Sequence, residues 1–287
     1  MPRPYLFCFG LGYSARALAR RLLAEGWRVA GTCRSEAQQG ALAAEGFAVE
    51  LFARGRPLPA PAFAGASHLL LSIPPDPEGD PVLARHAADI GALPGLRWLG
   101  YLSTTGVYGD RGGGWVDEES ELRPSGERGR RRVAAEAGWR ALWQTRGVPV
   151  HVFRLAGIYG PGRSVLDPLA AGTAKRIRKE GQVFSRIHVE DLAAALAASM
   201  RRPRPGAIYN VCDDLPAPAE EVVAFAAALL GLAPPPLVPF AAAELSEMAK
   251  SFYADNKRVS NRRLKEELGL SLAYPDFRSG LKAVRGG

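Results

Sequence analysis

The sequence predicts an α/β protein built on a doubly wound parallel sheet, and two observations support this fold class. Apolar runs of strand length alternate with stretches of helical spacing through the first half of the chain. The first of these runs leads through a glycine-rich turn directly into a helical pattern. Such alternation is typical of a parallel sheet covered by helices on both faces, which binds its ligands at the carboxyl ends of the strands.

The first predicted strand, turn and helix match a dinucleotide-binding pattern. Residues 5–9 are apolar, Gly10 and Gly12 follow, and a helical pattern runs from Ala15 to Gly26. In a strand, G-x-G-x-x-A turn and helix, backbone N–H groups and the helix N-terminus receive a pyrophosphate. Ala15 in the third position still permits close contact between helix and strand. The pattern predicts a Rossmann-type site, although a tight turn without a ligand has the same sequence.

The second strand, Trp27–Cys33, places Arg34 about 20 residues beyond the glycines, where an acidic residue would bind a ribose 2′-hydroxyl. The stretch Cys33-Arg34-Ser35 contains no carboxylate, and a guanidinium offers paired donors to a phosphate. We therefore expect NADP rather than NAD, with Cys33, Arg34 and Ser35 at the cofactor. The alternative for Arg34 is a solvated loop residue.

The remaining pattern predicts the other elements in order. In the first half we expect helix 36–45, strand 48–52, a strand from His68 into the turn Ser72-Ile73-Pro74-Pro75, helix 81–93, strand 96–103, helix 129–145 and strand 148–155. Beyond Gly160 we expect helices 167–179 and 190–200, strand 207–211, helix 219–230, and two closing helices around 241–250 and 261–268. This organisation predicts a nucleotide-binding domain over 1–158 and a small C-terminal substrate lobe over 159–287, with 188–212 returning to the first domain.

Composition restricts the class of protein. The chain has 287 residues, 47% of them hydrophobic, and no apolar run approaches the roughly 20 residues that cross a bilayer. Met1-Pro2-Arg3-Pro4 leads straight into a strand, so we expect no signal peptide, no membrane association and a cytoplasmic location. Three scattered cysteines predict neither a disulfide framework nor a metal site. The net charge of +8 comes without interleaved aromatic residues, so we expect an anionic small molecule rather than nucleic acid.

Four further segments extend the pattern over nearly the whole chain. They are Leu102-Ser-Thr-Thr-Gly-Val-Tyr-Gly109, Phe153-Arg-Leu-Ala-Gly-Ile-Tyr-Gly-Pro-Gly162, Arg186-Ile-His-Val-Glu-Asp191 and Tyr209-Asn-Val-Cys-Asp213. With the glycine turn, they resemble the landmarks of the extended short-chain dehydrogenase/reductases, the group of the NAD-dependent nucleotide-sugar epimerases and dehydratases. The turn departs from the usual Gly-x-x-Gly-x-x-Gly and is similar to that of the atypical branch.

The resemblance implies roles for individual residues. It implies pyrophosphate contacts from the glycine turn, an adenosine and ribose path along the turn after His68, and a nicotinamide contact from the segment after Phe153. The residues so implied are Gly10, Gly12, Tyr13, Ser14, Ala15, Ser72, Ile73, Pro74, Gly157 and Ile158. Thr104 matches the catalytic Ser/Thr of the family, whose hydroxyl hydrogen-bonds the reacting oxygen. Capping of the strand end is the alternative for Thr104.

The catalytic pair of the family is missing. In the resembling proteins a Tyr-x-x-x-Lys pair transfers the proton, since the lysine lowers a tyrosine pKa that is otherwise about 10. Arg128 and Arg132 stand at the matching positions, and no tyrosine lies between Tyr108 and Tyr159. Arginine stays protonated, so Arg128 is no general base. Arg132 is expected to hold the ribose or a phosphate, with a solvated helix face as the alternative.

Three interpretations of this departure remain open. Another group supplies the proton, with Tyr108, Tyr159, Asp117 and Glu118 as candidates; or substrate or water supplies it; or the protein binds NADP(H) without turnover as a regulator or sensor. Asp80 is a further catalytic candidate, because with loose spacing it matches an upstream asparagine of the resembling family. We therefore expect an NADP-dependent oxidoreductase or epimerase/dehydratase-like protein acting on a small anionic or nucleotide-linked hydroxyl or carbonyl compound. Homodimers are common in the resembling family and are expected here on that basis alone.

Overall fold

The computed structural model of the protein describes residues 3–286, which form two compact units. The first unit comprises the chain up to Ser103 together with Arg130–Arg154 and Ala193–Tyr209. The second comprises Thr104–Gly129, Leu155–Leu192 and the chain from Asn210 onward. The predicted division into 1–158 and 159–287, with the return over 188–212, stays a prediction, and its residues 1, 2 and 287 lie outside the described range.

A seven-stranded sheet forms the centre of the fold. Its strands are β1 (Tyr5–Phe9), β2 (Arg28–Cys33), β3 (Ala48–Leu51), β4 (His68–Leu71), β5 (Trp98–Thr104), β7 (Val150–Leu155) and β11 (Ile208–Val211). Their order across the sheet is β11-β7-β5-β4-β1-β2-β3. The ladders of β1 with β2 and β4, of β2 with β3, and of β4 with β5 are parallel. The predicted doubly wound α/β fold is confirmed, with strand order reversing at β1, where such sheets open a crevice for ligands.

Ten α-helices occur among the described residues. They are α1 (Tyr13–Ala24), α2 (Glu36–Ala44), α3 (Pro81–Gly91), α4 (Glu127–Arg146), α5 (Leu166–Ala170), α6 (Val189–Arg201), α7 (Ala219–Leu229), α8 (Glu247–Tyr253), α9 (Arg262–Leu268) and α10 (Phe277–Gly286). Short 3-10 helices span Ala60–Phe63, Thr105–Tyr108 and Phe240–Ala242. Local chemistry explains the starts of α2 and α3. Ser35 and Asp80 accept hydrogen bonds from the first-turn amides of these two helices, and Pro81 stands at the first helical position of α3.

Aromatic side chains fill the core of the first unit. Phe7 and Phe9 of β1 pack against each other and against Phe63, with ring centroids 5.2–5.7 Å apart. Trp139 of α4 is buried in the same core, and its indole N–H donates to Asp80 at 3.1 Å. All five residues of β1 are buried, as expected of a central parallel strand covered on both faces.

The second unit contains three parallel pairs of short strands. β8 (Gly157–Tyr159) pairs with β10 (Arg186–His188), β9 (Arg176–Arg178) with β12 (Leu237–Pro239), and β6 (Trp115–Val116) with β13 (Arg258–Val259). A separate hydrophobic core joins α5, α7 and α10 around Tyr159. The carboxylate of Asp191 ties the chain before α10 to this unit, because it accepts hydrogen bonds from the amides of Ala273 and Tyr274 at 2.8 and 2.9 Å.

Three sequence predictions in this unit are wrong. The helix expected over 167–179 ends at Ala170, and Arg176–Arg178 is instead β9, since it pairs with β12 more than 50 residues away. The helix expected around 241–250 begins only at Glu247, after the Ser246 cap. The closing helix α10 is missing from the prediction. A Cβ at Gly280 would overlap the Tyr159 hydroxyl, which explains why this helix has a glycine.

Candidate functional site

A cavity of about 720 Å³ opens in the first unit at the carboxyl ends of β1, β2, β3 and β4. This volume lies in the range of small-molecule and cofactor sites, which are about 300–1,000 Å³. The lining residues are Gly10, Leu11, Gly12, Tyr13, Arg16, Thr32, Cys33, Arg34, Gln38, Ala41, Leu42, Glu45, Phe52, Ala53, Arg54, Ser72, Ile73, Pro74, Pro75, Asp76 and Pro81.

The turn after β1 forms one wall of this cavity. Gly10 has φ +92°, a conformation that favours glycine, and an added Cβ would come 2.9 Å from Cγ1 of Ile73. Gly12 precedes α1, and no side chain caps this helix. A Cβ at Gly12 would meet no atom within 4 Å, so the backbone here is open to a ligand. The first-turn amides of a helix have no partner within the helix, and this uncapped terminus therefore suits a pyrophosphate.

The end of β2 holds this turn in place. The hydroxyl of Thr32 accepts a hydrogen bond from the Gly10 amide at 2.8 Å, and the amide of Leu11 donates to the Thr32 carbonyl at 2.8 Å. Gly31 permits the close approach, because a Cβ there would lie 2.5 Å from the Cys8 carbonyl oxygen. The glycine turn and the start of the Arg34 segment are thus fixed relative to each other.

Three arginines line the cavity, and two of them have carboxylate partners. Arg16 is 3.1 Å from Glu45, and Arg54 forms a two-point ion pair with Asp76 at 2.7 and 2.8 Å. The Arg54 guanidinium lowers the pKa of Asp76, and Arg20, followed by Arg16, lowers that of Glu45. The third arginine, Arg34, is exposed and has no carboxylate within 4 Å among the described residues. Its positive charge is the unbalanced one in this cavity.

Most predicted cofactor residues line the cavity, and some do not. Gly10, Gly12, Tyr13, Cys33, Arg34, Ser72, Ile73 and Pro74 line it. Ser14 and Ala15 are buried in α1 behind the turn, and Ser35 accepts a hydrogen bond from the Gln38 amide as the cap of α2. Gly157 and Ile158 belong to β8 in the second unit.

Sequence reasoning missed several lining residues, including Arg16, Gln38, Phe52, Arg54 and Asp76. Arg16 and Gln38 lie on α1 and α2 outside the glycine motif. Phe52 and Arg54 follow β3, and the carboxyl end of this strand was the available signal, since ligands of parallel sheets bind at that edge.

The second unit begins at Thr104, the last residue of β5. The Thr104 hydroxyl accepts a hydrogen bond from the Gly106 amide at 3.1 Å and starts the 3-10 turn. Gly129 of α4 packs on this turn, because a Cβ at Gly129 would lie 3.0 Å from the Gly106 carbonyl oxygen. This packing holds the start of α4 beside the Thr104 turn, and Arg128 is the residue that precedes Gly129.

Arg132 lies one helical turn further along α4, in the first unit. Its guanidinium donates to the Leu102 carbonyl and to the Tyr101 hydroxyl, the latter at 3.3 Å. Arg132 does not line the cavity described above. Its predicted contact with the ribose or a phosphate stays a prediction.

A buried ionic network contacts strand β5, which carries Ser103. Glu136 of α4 receives a hydrogen bond from Ser103 at 2.5 Å and forms an ion pair with Arg154 at 2.8 Å. All three side chains are buried. A buried ion pair that also satisfies a hydroxyl fixes relative positions, here those of β5, β7 and α4.

Two residues predicted to be catalytic, Tyr108 and Asp80, form hydrogen bonds within the fold. Tyr108 is fully buried, and its hydroxyl donates to Oδ1 of Asn210 at 2.7 Å. Asp80 accepts the amides of Val82 and Leu83 at 2.9 Å and the Trp139 indole N–H. Burial raises the pKa of Asp80, and these hydrogen bonds oppose that rise. Both side chains have structural partners, and their predicted catalytic role stays a prediction.

The alternative proton donors also have structural partners. Glu118 accepts the Asn210 amide at 2.8 Å, and burial raises its pKa. Asp117 accepts hydrogen bonds from the Glu119 amide and the Ser120 hydroxyl. The Tyr159 hydroxyl faces the Asp276 carbonyl at 3.4 Å, and burial raises the pKa of this phenol. The pKa values of Glu118 and Tyr159 are raised, unlike the lowered pKa of an activated tyrosine, and all three side chains have hydrogen-bond partners within the fold.

Residues 3–286 contain neither a metal-ligating cluster nor a helix suited to a membrane. No group of three or more His, Cys, Asp or Glu side chains there is arranged to hold a metal ion. No helix in the same range combines the length and the apolar character that a membrane span needs.

The parallel sheet, the uncapped helix after a glycine turn, and the cavity at the strand ends define a Rossmann-type nucleotide-binding protein. The family model of the NAD dependent epimerase/dehydratase family matches residues 85–212. Protein YeeZ of Escherichia coli K12 is 30% identical over 282 residues, which cover 93% of this chain and 95% of YeeZ. The chain belongs to the NAD-dependent epimerase/dehydratase family.

Solved structures agree with this assignment. A functionally unknown conserved protein from Silicibacter pomeroyi is 53% identical, with a TM-score of 0.93 over 99% of this chain and 98% of that one. A UDP-glucuronic acid 4-epimerase from Bacillus cereus, solved in complex with NAD, is 14% identical, with a TM-score of 0.76 over 97% and 96% of the two chains. At that identity the epimerase shows a shared fold.

Proposed function

We propose that this protein is an NADP(H)-dependent oxidoreductase or epimerase/dehydratase-like enzyme acting on a small anionic or nucleotide-linked hydroxyl or carbonyl compound. The observation that carries the NADP(H) preference is the charge of Arg34. It stands at the end of β2 and lines the cavity without a carboxylate partner among the described residues, whereas Arg16 and Arg54 are paired. A 2′-phosphate would supply the missing negative charge, and a guanidinium suits its paired oxygens.

The residues present fit a dinucleotide. Gly10, Gly12 and Tyr13 line the wall where the uncapped start of α1 would receive the pyrophosphate. Ser72, Ile73 and Pro74 line the cavity after β4 and would bound the adenosine and ribose path. A bound nicotinamide would supply a hydride donor or acceptor. The contacts of Arg132 with the ribose or a phosphate, and of Gly157 and Ile158 with the nicotinamide, remain part of this proposal.

Thr104 is the proposed donor to the reacting oxygen of the substrate. Its hydroxyl oxygen already accepts the Gly106 N–H, which orients the side chain and leaves the hydroxyl proton to donate. The side chain is partly exposed, as contact with a substrate requires. With Arg128 at the tyrosine position, substrate or water is the proton source that we favour.

Calorimetric titration of the purified protein with NADP⁺, NADPH, NAD⁺ and NADH tests the cofactor assignment. We expect Arg34→Ala to weaken NADP(H) binding about 10- to 100-fold, the range of a charged hydrogen bond, and NAD(H) binding by less than about threefold. Arg21→Ala is the matched control, because Arg21 lies on α1 outside the cavity and should leave both affinities unchanged. An equal loss for NADP and NAD would make Arg34 a structural residue, and tighter binding of NAD by the unaltered protein would overturn the preference.

A second candidate function is a non-catalytic NADP(H)-binding regulator. The observation in its favour is that two arginines, Arg128 and Arg132, stand where the resembling enzymes carry their proton-transferring pair. This candidate predicts tight NADP(H) binding without steady turnover on a broad panel of carbonyl compounds. Sustained NADPH consumption by the pure protein would exclude it.

A further inference from the structure

The guanidinium of Arg128 is a cation without a carboxylate partner. It is exposed near the start of α4, in the second unit, and it forms no ion pair with a described residue. Its contact is with the ring of Phe252, whose centroid lies 6.0 Å from the guanidinium carbon. Two other cations of this unit are paired with carboxylates, Lys257 with Asp255 at 3.1 Å and Arg263 with Glu119 at 2.5 Å.

The backbone beside Arg128 is anchored to the Thr104 turn. A Cβ at Gly129 would lie 2.7 Å from the Pro124 side chain and 3.0 Å from the Gly106 carbonyl oxygen. This close packing keeps the start of α4 against the turn whose first hydroxyl belongs to Thr104. The backbone that carries Arg128 is therefore held beside the Thr104 turn within one unit.

Helix α8 adds an apolar surface next to this cation. Phe252 is 57% exposed and Met248 is 62% exposed, although large apolar side chains are normally buried. The two residues are four positions apart on one helix, so they share a face. An exposed aromatic ring beside a cation, with a flexible methionine on the same face, suits a planar apolar group that carries a negative charge.

We propose that Arg128 and the Met248–Phe252 face of α8 bind an aromatic carboxylate, as the substrate class of the enzyme proposed above. The planar guanidinium binds the two carboxylate oxygens, and the aromatic ring of the ligand packs on Phe252 and Met248. The Arg128 guanidinium, which no carboxylate of the described residues neutralises, matches the single negative charge of a carboxylate. A nucleotide diphosphate would need further cations beside it, and two cations of this unit, Lys257 and Arg263, are already engaged by carboxylates of the protein.

The test uses two probes that differ only in charge, 3-phenylpropanoate and 3-phenylpropanamide. Calorimetry on the full-length protein saturated with NADPH should show the carboxylate binding at least about tenfold more tightly than the amide, the lower end for a charged hydrogen bond. Arg128→Gln should abolish this preference. Arg128→Lys should retain part of it, because lysine keeps the positive charge but lacks the paired N–H donors of the guanidinium. Phe252→Ala should weaken both probes alike. Arg123→Gln, an exposed arginine of the same unit, is the control and should change neither.

The inference is overturned if the unaltered protein does not distinguish acid from amide, binds neither at millimolar concentration, or if Arg128→Gln keeps the preference. Preferential binding of UDP-glucuronic acid that depends on Arg128, without binding of 3-phenylpropanoate, would also overturn it. The inference rests on the proposed enzyme, yet a failure of carboxylate binding can be distinguished from a failure of NADPH binding. Arg128 and Phe252 do not line the cavity, so NADPH affinity should be the same in every variant. Loss of NADPH binding in the unaltered protein would count against the proposed function, and the charge preference would then be measured without cofactor.

Discussion

Asp213 offers a direct test of how burial controls ionisation in this protein. Its side chain is 1% exposed, and neither carboxylate oxygen has a hydrogen-bond partner among the described residues. Burial raises the pKa of this carboxyl to about 8, although the charge of Arg186 and the nearby amides of Arg186 and Leu215 act in the opposite direction. Asp213 is therefore protonated in the folded protein at neutral pH, whereas an unfolded aspartate ionises near pH 4.

The raised pKa makes the stability of the fold depend on pH. Below about pH 4 the Asp213 carboxyl is protonated in both the folded and the unfolded protein, so it makes no pH-dependent contribution to the free energy of unfolding. Between about pH 4 and 8 the unfolded carboxyl ionises while the folded one keeps its proton, so the free energy of unfolding falls as pH rises. Each pKa unit corresponds to about 1.4 kcal/mol, and a shift of about four units gives roughly 5 kcal/mol over the whole range.

The substitution Asp213→Asn keeps the shape and removes the ionisation. We expect the free energy of unfolding of the variant, relative to the unaltered protein, to increase by about 3–4 kcal/mol between pH 5 and pH 8, since most of the shift falls in this window. Urea unfolding followed by tryptophan fluorescence at pH 5, 6, 7 and 8 measures this difference. The control is Asp214→Asn, a half-exposed carboxylate 2.6 Å from Lys265, which should cost about 0–1 kcal/mol. A difference for Asp213→Asn that stays constant from pH 5 to pH 8 would contradict a raised pKa of Asp213 in the folded protein.

Three further substitutions test the fold that carries the site. Glu136→Gln removes the carboxylate charge that pairs with the buried Arg154 at 2.8 Å and should lower the free energy of unfolding in urea by about 3–5 kcal/mol. A loss below about 1 kcal/mol would contradict a tightly held pair. Gly31→Ala places a methyl group 2.5 Å from the Cys8 carbonyl oxygen, so the glycine turn must shift. The NADPH affinity measured by calorimetry should therefore fall at least tenfold. Unchanged affinity would show that the glycine turn tolerates this displacement. Ser35→Ala removes the cap of α2 and should cost about 0.5–2 kcal/mol in thermal unfolding, with no effect if solvent replaces the cap.

Local patterns were enough to predict the strands of the central sheet and the turn and helix that follow the first of them. The buried run of β1, the glycine turn and α1 are contiguous in the chain, so their chemistry is visible without knowledge of distant contacts. Arg34 follows from the same logic, because the end of β2 lies at the cofactor edge of any such sheet. The predicted strands of the central sheet agree with the observed ones to within one or two residues at most ends.

Long-range pairing decided what the sequence alone left open. The charge state of the cavity depends on Glu45 and Asp76, which lie 29 and 22 residues from the arginines that they neutralise. Strand β9 exists because β12 pairs with it, and α10 contains Gly280 because the Tyr159 hydroxyl occupies the space of a Cβ. The contact of Arg128 with Phe252 joins residues more than 120 positions apart.

The strand–turn–helix that suits a dinucleotide and the arginine at the end of β2 follow from the amino-acid sequence alone, and so does the prediction that arginines replace the tyrosine–lysine pair. These features depend on residue type and on spacing within one or two elements. Hydrophobic periodicity and glycine positions are therefore enough to predict them. Only the tertiary structure decided which arginine of the cavity keeps its charge unpaired and which acids are held in structural hydrogen bonds. The physical reason is that ion pairing, burial and the resulting pKa values depend on distances in space, and residues far apart in the chain set those distances.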